Sequence, residues 1–327
     1  MTGTDRRLAA LTWHVHGNYL WYLSAVPVTW YLPVRPGRPP GYGGRGESFT
    51  WPDNVVEVPA EQVRDLDVDV VVHQSHRDWE IDRHALLDDR LRAVPAVVVE
   101  HDPPLGHPTD TRHPVDDPAV TVVHVTAYNR LMWDCGRSRT VTIQHGVWPS
   151  DEEPAPLSED RGIVVVNHLT RRGRRLGADL VAEIGHRVPI DIVGMGAEEA
   201  GGIGEIPPLE LRHVMRRYRF FFHPARYTSF GLAVCEAMHE GVPIVGLPTT
   251  ELPNVVRDGE EGFLAADVDA LVERMCRLVD DRSLALRMGA KARRTARERL
   301  GIDRFAADWL DLLTEVATAR TSVRVAG

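Results

Sequence analysis

The sequence predicts an α/β protein of two doubly wound domains, each a parallel sheet with helices on both faces. Short runs rich in valine and isoleucine recur between helical patterns in both halves, and a chain of 327 residues exceeds one ordinary core. Parallel strands read as continuous apolar runs because helices bury both of their faces. These runs are LAALTWHV, DVDVVVH, AVVVE and TVVHVT in the first half, and IVVVN, IDIVG, FFFH and PIVG in the second.

Two irregular stretches interrupt this pattern. The segment from Val147 to Gly162 is acidic and proline-rich without apolar periodicity, which is typical of a linker. We therefore expect a first domain over 1–149, a linker over 150–161 and a second domain from 162 to 301. The stretch from Pro33 to Asp53 is rich in glycine and proline and too long for an ordinary connection, so we interpret it as a functional loop of the first domain.

Composition excludes several classes of protein. The formal net charge of −9 argues against nucleic acid as a partner, since nucleic-acid-binding proteins usually carry a basic balance. Three cysteines with no close spacing favour neither a disulfide framework nor a metal site, and they fit a reducing cytoplasm. No run of about eighteen apolar residues predicts a membrane span. A cytoplasmic protein is expected, with peripheral membrane contact left open.

The segment FFFHPARYTSFGLAVCEAMHEGVPIVG predicts a strand, a polar turn and a helix. Thr228 and Ser229 are candidate N-caps, and the helix is expected to open at about Phe230. The N-terminus of a helix presents unpaired N–H groups and a partial positive charge, so a phosphate is expected beside Ser229, Phe230 and Gly231. Gly231 would allow the phosphate to approach the backbone closely.

Glu236 follows on the same predicted helix. An anion-binding turn followed by a carboxylate suits a nucleotide sugar, because the amides hold the diphosphate while the carboxylate accepts hydrogen bonds from ribose hydroxyls. Considered alone, however, a strand, turn and helix of this kind is common in parallel-sheet proteins, and Glu236 would then be a surface residue.

The wider pattern resembles the family-four glycosyltransferases of the GT-B fold. FGLAVCEAMHEGVPIVG followed by RDGEEGFL is similar to their C-terminal signature, and the remaining landmarks occur in the family's order. LTWHVHGNYLWYLS and EHDPPLGHPTDTRHPVDDP resemble a bacterial branch of this glycosyltransferase family. The other landmarks are IQHGV, RRG, IVGMG and a terminal helix with Trp309.

The resemblance implies two Rossmann-like domains facing a central cleft, with a helix over 302–319 that crosses back to the first domain. It also implies sugar transfer from a nucleoside diphosphate with retention at the anomeric carbon, without a metal or any other cofactor. The donor would be UDP-, GDP- or ADP-linked. The acceptor, bound mainly by the N-terminal domain, would be a saccharide, a lipid-linked saccharide or a natural product.

By this resemblance, Glu236 corresponds to the glutamate that binds the ribose of the donor in relatives. Thr228 stands where relatives have a second glutamate that contacts the donor sugar, which leaves the sugar open. Arg172 takes the place of a phosphate-binding lysine, and Arg171 is a candidate for the arginine that accompanies it. A cation at a helix N-terminus is locally unfavourable, which favours a bound anion there. The further donor-site candidates are Arg226 and, in the loop after PIVGLP, Thr250 with its neighbours Thr249 and Glu251.

The first half carries most of the histidines and tryptophans. His16 and Gly17 follow the first predicted strand, and His101 follows AVVVE, so all three would lie at strand ends that line a ligand crevice. Relatives often place a functional histidine where His101 stands, so His101 and Arg172 are the catalytic candidates, while His16 and Gly17 are acceptor-side candidates. The histidine spacings match no standard metal motif, so no metal site is expected.

Two rival functions remain open. Another GT-B enzyme, such as a sugar-nucleotide epimerase or a phosphorylase, shares the donor site but needs no large acceptor. A non-catalytic nucleotide-sugar-binding subunit is suggested by threonine at position 228.

Overall fold

The computed structural model describes residues 6–150 and 152–325, with side chains described as far as 319. It divides into two compact units: the described residues of 1–146 with those of 302–327, and the described residues of 147–301. Each unit is built on a parallel sheet with helices, so the predicted fold class is confirmed. Within the described part of the chain, no helix has the length and apolar character needed to cross a bilayer.

The first unit contains a seven-stranded sheet in the order β3-β2-β1-β4-β5-β6-β7, and every neighbouring pair of strands is parallel. The chain builds outward in one direction from β1 and then in the other from β4. In open parallel sheets ligands bind at the carboxyl ends of the strands where the order reverses. The strands are β1 Ala9–Thr12, β2 Thr29–Val34, β3 Val55–Pro59, β4 Val70–His73, β5 Ala96–Glu100, β6 Val120–His124 and β7 Arg139–Thr142.

The helices of the first unit include the last helix of the chain. Phe305 and Trp309 on this helix are fully buried, and the ring of Phe305 meets the edge of Tyr19 at 5.8 Å between centroids. Arg304 donates to the carbonyl oxygens of Gln144 and His145 at 2.9 and 2.6 Å. The helices are α1 Gly17–Leu23, α2 Arg83–Leu86, α3 Asp89–Arg92, α4 Ala127–Met132 and α12 Ile302–Val325, with a 3-10 helix Ala60–Asp65 and a π-helix Asp78–Asp82.

The predicted irregular segment after β2 packs against the first unit. Its residues form only isolated bridges, such as that between His14 and Gly41. The Tyr42 side chain is buried, and its hydroxyl donates to Asp82 at 3.2 Å. The strand β2 extends through Val34, one residue past the predicted start of the loop.

The second unit contains a five-stranded sheet in the order β12-β11-β10-β8-β9, again parallel throughout. The order reverses between β8 and β10, so the carboxyl ends of these two strands mark its ligand crevice. The phenylalanine run of the sequence forms β10, where Phe220, Phe221 and Phe222 are buried. The strands are β8 Glu159–Val165, β9 Ile190–Val193, β10 Tyr218–His223, β11 Ile244–Gly246 and β12 Gly262–Leu264.

Close helix packing surrounds the second sheet. A Cβ atom at Gly289 would lie 2.0 Å from the carbonyl oxygen of Gly241, so glycine at 289 is required for the contact between two helices. Gly241 itself ends a helix in the left-handed region at φ 80°, the usual role of a C-terminal glycine. The helices are α5 Leu169–Arg172, α6 Ala178–Gly185, α7 Pro208–Met215, α8 Leu232–Glu240, α9 Leu252–Val255, α10 Val268–Asp280 and α11 Arg282–Arg299, with 3-10 helices Gly173–Leu176 and Ala197–Ala200.

The predicted linker over 150–161 differs from the structure. The strand β8 begins at Glu159, and the second unit begins at Val147. Arginines of this unit hold the preceding stretch: Arg293 donates to the carbonyl oxygen of Ser150 at 2.9 Å, and Arg216 donates to that of Glu153. The acidic, proline-rich composition therefore marks a segment packed onto the second unit.

Candidate functional site

The turn after β10 lies at the reversal point of the second sheet. The helix α8 that follows begins at Leu232, two residues later than predicted, with Gly231 as its N-cap. Neither Thr228 nor Ser229 caps the helix, which corrects the prediction. No side chain caps α8, so its first N–H groups are not covered by a capping oxygen. A Cβ atom at Gly231 would meet nothing within 4 Å, so open space adjoins this helix end.

Part of this turn is held by hydrogen bonds to other residues of the protein. The backbone N–H groups of Arg226 and Tyr227 donate to the carbonyl oxygen of Arg175 at 2.9 and 3.2 Å. Thr249 donates through its hydroxyl to the carbonyl oxygen of Ala225 at 3.1 Å. These bonds fix the first half of the turn, and they leave the stretch from Thr228 to the start of α8 as the part that can meet an anion.

The side chains of the turn and helix differ in what they can offer a ligand. Phe230 is 3% exposed and packs in the core, so only its backbone can contact a phosphate. Ser229 and Glu236 are also mostly buried, at 7% and 5% exposure. A mostly buried carboxylate on α8 is not the surface residue of the simpler interpretation, because a charge is costly to bury without polar partners.

The two arginines after β8 do not lie where their prediction assumed. Arg171 and Arg172 occupy the last turn of α5, a helix of four residues, and not a helix N-terminus. Because the whole helix is about one turn long, its two ends cannot be separated, so the helix position of these arginines gives no argument for a bound anion. Arg171 is exposed and Arg172 is half-buried.

Arg226 has a structural partner. Its guanidinium donates to both carboxylate oxygens of Asp179, at 2.6 and 2.9 Å, and to the carbonyl oxygen of Arg174 at 2.8 Å. A bidentate pair of this kind satisfies and neutralises the guanidinium. The contact of Arg226 with phosphate stays a prediction, and the structure shows that this side chain also holds the turn to the start of α6.

Two residues at the crevice of the second unit have strained backbones. His168 lies between β8 and α5 at φ 52°, and Thr250 lies between β11 and α9 at φ 54°. The left-handed region is uncommon for non-glycine residues and rarer still for a β-branched one. Such strain tends to occur at functional sites, where the surrounding structure maintains it. This observation supports Thr250 as a ligand-side residue and adds His168.

Arg175 is a candidate that the sequence prediction missed. Its Nη1 atom is buried without a hydrogen-bond partner among the described residues, and its carbonyl oxygen holds the turn after β10. An unsatisfied guanidinium N–H beside this candidate anion-binding turn is a natural phosphate donor. The run RRGRR shows a cluster of arginines, but the spacing cannot tell which of them the short helix and the 3-10 helix turn inward.

In the first unit, the acceptor-side candidates come together. His16 is the N-cap residue of α1, which follows β1, and His101 follows β5. Their rings lie 4.3 Å apart between centroids, and the ring of Tyr19 meets His101 at 4.6 Å. Gly17 is packed closely, since a Cβ atom there would lie 2.9 Å from Nε2 of His14. The sequence prediction placed these residues at strand ends, and the structure brings His16 and His101 into contact.

The surroundings of His101 favour its neutral form. Desolvation by the packed rings lowers the pKa of His101 well below its usual value, and the nearby His16 and His145 lower it further. Its Nε2 atom is buried without a hydrogen-bond partner among the described residues. A neutral imidazole can accept a hydrogen bond at neutral pH.

A pocket of about 420 Å³ opens at the carboxyl ends of β4 and β5. Two of its lining residues, His76 and Glu100, form a set with the buried His113 that the sequence prediction missed, and the ligand-type atoms of the three lie within 4.8 Å of one another. These residues are too far apart in sequence for any spacing rule, and the sheet topology alone unites them. The lining residues are His16, Gln74, Ser75, His76, Val99, Glu100, His101, Asp102, Pro103, Leu105, Gly106, Thr111, Arg112, Pro114 and Trp133.

Glu100 is the charged centre of this set. Burial alone would raise its pKa, but hydrogen bonds with His113 and His76 outweigh burial and lower the pKa of Glu100 to about 2. Its Oε2 atom lies 2.7 Å from Nε2 of His76 and 3.2 Å from Nε2 of His113. Its Oε1 atom accepts from the backbone N–H of Asp102 at 3.1 Å. The carboxylate is therefore ionised and accepts from three donors.

Part of the second unit matches a known sequence family. Residues 189–281 match the model described as "Glycosyl transferases group 1". The chain is 27% identical to a trehalose synthase of Pyrococcus horikoshii over 143 residues, covering 44% of this chain and 31% of that protein. It is 38% identical over 98 residues to a D-inositol 3-phosphate glycosyltransferase of Streptomyces avermitilis, covering 29% and 21%. The chain thus matches less than a third of the length of these curated relatives.

Solved structures resemble the whole chain. A sucrose-phosphate synthase from Thermosynechococcus elongatus superposes with a TM-score of 0.69 at 15% identity, covering 96% of this chain and 100% of the other. HepE of Anabaena in complex with UDP-glucose gives a TM-score of 0.69 at 13% identity, covering 96% and 100%. At such identity these likenesses establish the fold and leave the activity to other arguments.

Proposed function

Since the chain has the GT-B fold and its second unit belongs to the group 1 glycosyltransferases, we propose that it transfers a sugar from a nucleoside-diphosphate sugar to an acceptor, with retention of anomeric configuration. The second unit binds the donor and the first unit binds most of the acceptor. The nucleotide is UDP, GDP or ADP, and HepE, a structural neighbour, was solved with UDP-glucose. The acceptor class is a saccharide, a lipid-linked saccharide or a natural product.

The observation that carries this proposal is the uncapped N-terminus of α8 beside open space, with the buried Glu236 on the same helix and inside the matched family region. The N–H groups at the start of the helix, which no side chain caps, and its partial positive charge suit a diphosphate. Glu236 accepts hydrogen bonds from the ribose hydroxyls. Ser229, Phe230 and Gly231 contact the diphosphate, Phe230 through its backbone alone.

The sugar end of the donor is assigned to Thr228 and Thr250. Thr228 offers a hydroxyl where relatives carry a glutamate, so it makes a neutral and shorter contact with the donor sugar. Thr250 belongs to the strained loop after β11, which follows the same sheet edge.

Catalysis requires stabilisation of the departing diphosphate. Arg172 is proposed to contact it, with Arg171 beside it, and the amides at the start of α8 add preorganised donors. Such donors act most strongly where charge develops in the transition state, so the reaction is proposed to need no metal. His101 is proposed to be the catalytic histidine on the acceptor side, and His16 and Gly17 line the acceptor site.

A thermal-shift panel of UDP-, GDP- and ADP-sugars, followed by product analysis with and without saccharide acceptors, tests the proposal. We expect one nucleotide class to raise the melting temperature, and transfer to depend on an added acceptor. A nucleotide-dependent shift with neither transfer nor donor hydrolysis would instead indicate a binding subunit. Conversion of the donor without any acceptor would indicate an epimerase-type reaction.

A further inference from the structure

The set formed by His76, Glu100 and His113 has the composition of a metal site, two imidazoles and a carboxylate. A histidine binds a metal through a ring nitrogen that carries a lone pair, and its other nitrogen then usually donates a proton to an acceptor. The proton positions on the two rings therefore decide whether this set can hold a cation.

For His113, a hydrogen bond from the backbone determines which ring nitrogen carries the proton. The backbone N–H of Val115 donates to Nδ1 of His113 at 3.1 Å, so Nδ1 carries the lone pair. The neutral ring must then bear its proton on Nε2, which donates to Glu100 at 3.2 Å. Metal binding through Nε2 would move the proton to Nδ1, where it would oppose the N–H of Val115. His113 is buried, so its ring has little room to avoid this conflict.

For His76, the carboxylate of Glu100 determines which ring nitrogen carries the proton. Glu100 is ionised and accepts at 2.7 Å from Nε2 of His76, so in the neutral ring Nδ1 carries the lone pair. The side chain of His76 is 41% exposed and lines the pocket, and Nδ1 has no hydrogen-bond partner among the described residues. The buried carboxylate of Glu100 therefore holds the ring of His76 through Nε2, and Nδ1 of this pocket-lining ring is left as a hydrogen-bond acceptor.

We propose that this pocket binds a polyhydroxylated ligand of the saccharide class, one hydroxyl of which donates to Nδ1 of His76. Glu100 and His113 are positioning residues that hold His76 in the required tautomer. On the basis of the proposed function, that ligand is the sugar acceptor. His76 is then a recognition residue in addition to His101.

The rest of the lining suits this class of ligand. Ser75, Asp102 and Thr111 add polar groups, while Trp133 offers an aromatic ring beside His76, at 5.8 Å between centroids. Sugars combine hydroxyl edges with apolar faces, and aromatic side chains commonly pack against such faces.

The proposal predicts the effect of pH on binding. Protonated His76 has no lone pair at Nδ1 and cannot accept the hydroxyl. The hydrogen bond with Glu100 raises the pKa of His76, burial opposes this, and the charges of Glu100, Glu80 and Asp78 add to the rise. The ring of His113 also faces it, at 5.3 Å between centroids. As the pH is lowered, ligand binding should therefore begin to weaken at a higher pH than it would if His76 had the pKa of an ordinary histidine.

Nuclear magnetic resonance of the full chain labelled with ¹⁵N-histidine tests the tautomers without reference to any activity. We expect Nε2–H tautomers for His76 and His113, with the His76 signals assigned by their loss in His76→Phe. Calorimetry with zinc chloride provides the opposing measurement. Stoichiometric zinc binding that is lost in His76→Phe, or an Nδ1–H tautomer at His76, would overturn the proposal in favour of a metal centre.

The ligand class is tested by titrating a panel of methyl glycosides and disaccharides while following the His76 signals. We expect at least one sugar to shift Nδ1 of His76, with its affinity falling about tenfold in His76→Phe and unchanged in the exposed control His84→Phe. In Glu100→Gln, the pH below which binding is lost should move lower, an effect that a purely structural glutamate would not produce. A panel in which no sugar perturbs His76 would refute the assignment.

These outcomes separate the two proposals. If sugars perturb His76 while no nucleotide sugar binds the second unit, the proposed transfer reaction fails and the hydroxyl-binding site stands. If nucleotide sugars bind and transfer proceeds equally well in His76→Phe, the proposed function stands and this inference fails.

Discussion

The proposed donor site depends mainly on one side chain, Glu236. It lies on α8 within the matched family region, and burial leaves 5% of it exposed beside an uncapped helix end. The sequence pattern predicted its role, whereas the structure adds that it is not an ordinary surface residue. The arginines of the same site behave differently, since Arg226 is held by Asp179 and Arg175 is turned inward.

Replacing Glu236 with glutamine should weaken the binding of the matching nucleoside diphosphate by about ten- to a hundredfold, the effect of losing hydrogen bonds to a charged group. Isothermal titration calorimetry measures the change. Glu183→Gln, at an exposed position of the same unit on α6, serves as the control and should bind as the unaltered chain does. Equal affinities for the two variants would contradict the assignment of Glu236 to the ribose.

His239 on α8 should make the second unit sensitive to acid. It is fully buried, its Nε2 donates to the carbonyl oxygen of Leu300 at 3.1 Å, and burial lowers the pKa of His239 to about 4. Because the pKa of an unfolded histidine is about 6.5, His239 binds protons more readily in the unfolded state. Its contribution to stability is complete above pH 6.5 or so, declines as the pH falls towards about 4, and declines no further below that.

Denaturant unfolding as a function of pH measures this effect. A pKa difference of roughly two units corresponds to about 3 kcal/mol of stability between the two ends of the range. His239→Gln should flatten the pH dependence, and His186→Gln, at an exposed position after α6, should leave it unchanged. An identical slope in all three proteins would rule out His239 as the source.

At the scale of secondary structure, the placement of the helix ends is decisive. The helix α8 starts at Leu232 and not at Phe230, and α5 ends with the two arginines that were expected to begin it. Both differences are small in sequence but change which groups face a ligand. The contact between α11 and α8 is equally strict, because it leaves no room for a side chain at Gly289.

Gly289→Ala should therefore destabilise the second unit, although alanine has the higher helix propensity. The added methyl group would collide with the carbonyl oxygen of Gly241, and such overpacking costs about 1 to 3 kcal/mol. Gly185→Ala is the matched control, since a Cβ atom there meets nothing within 4 Å. Thermal unfolding compares the two variants, and equal or higher stability of Gly289→Ala would show that the helices separate easily.

At the scale of the whole molecule, the order of the chain differs from the order of its compact units. The last helix belongs with the first unit, where Phe305 and Trp309 are buried and Arg304 holds two carbonyl oxygens near the end of that unit's first segment. The first unit is thus completed by residues from the far end of the chain.

Truncating Trp309 should consequently loosen the first unit more than the second. Trp309→Ala removes a fully buried aromatic side chain, a change that costs about 3 to 5 kcal/mol. Hydrogen exchange followed by mass spectrometry should show faster exchange in β1 and β4 and little change in β10. Asp311→Ala, an exposed position on the same helix, is the control. Faster exchange confined to the second unit would contradict the assignment of α12.

The sequence by itself determined the fold class and the region of the proposed donor site. Apolar runs identify buried parallel strands because burial on both faces imposes hydrophobicity at every position, and the signature around Glu236 is contiguous. Tertiary structure alone decided which arginine turns inward, where α8 begins and how His76, Glu100 and His113 meet. These features depend on strand order and on contacts between residues distant in the chain, which local patterns do not encode.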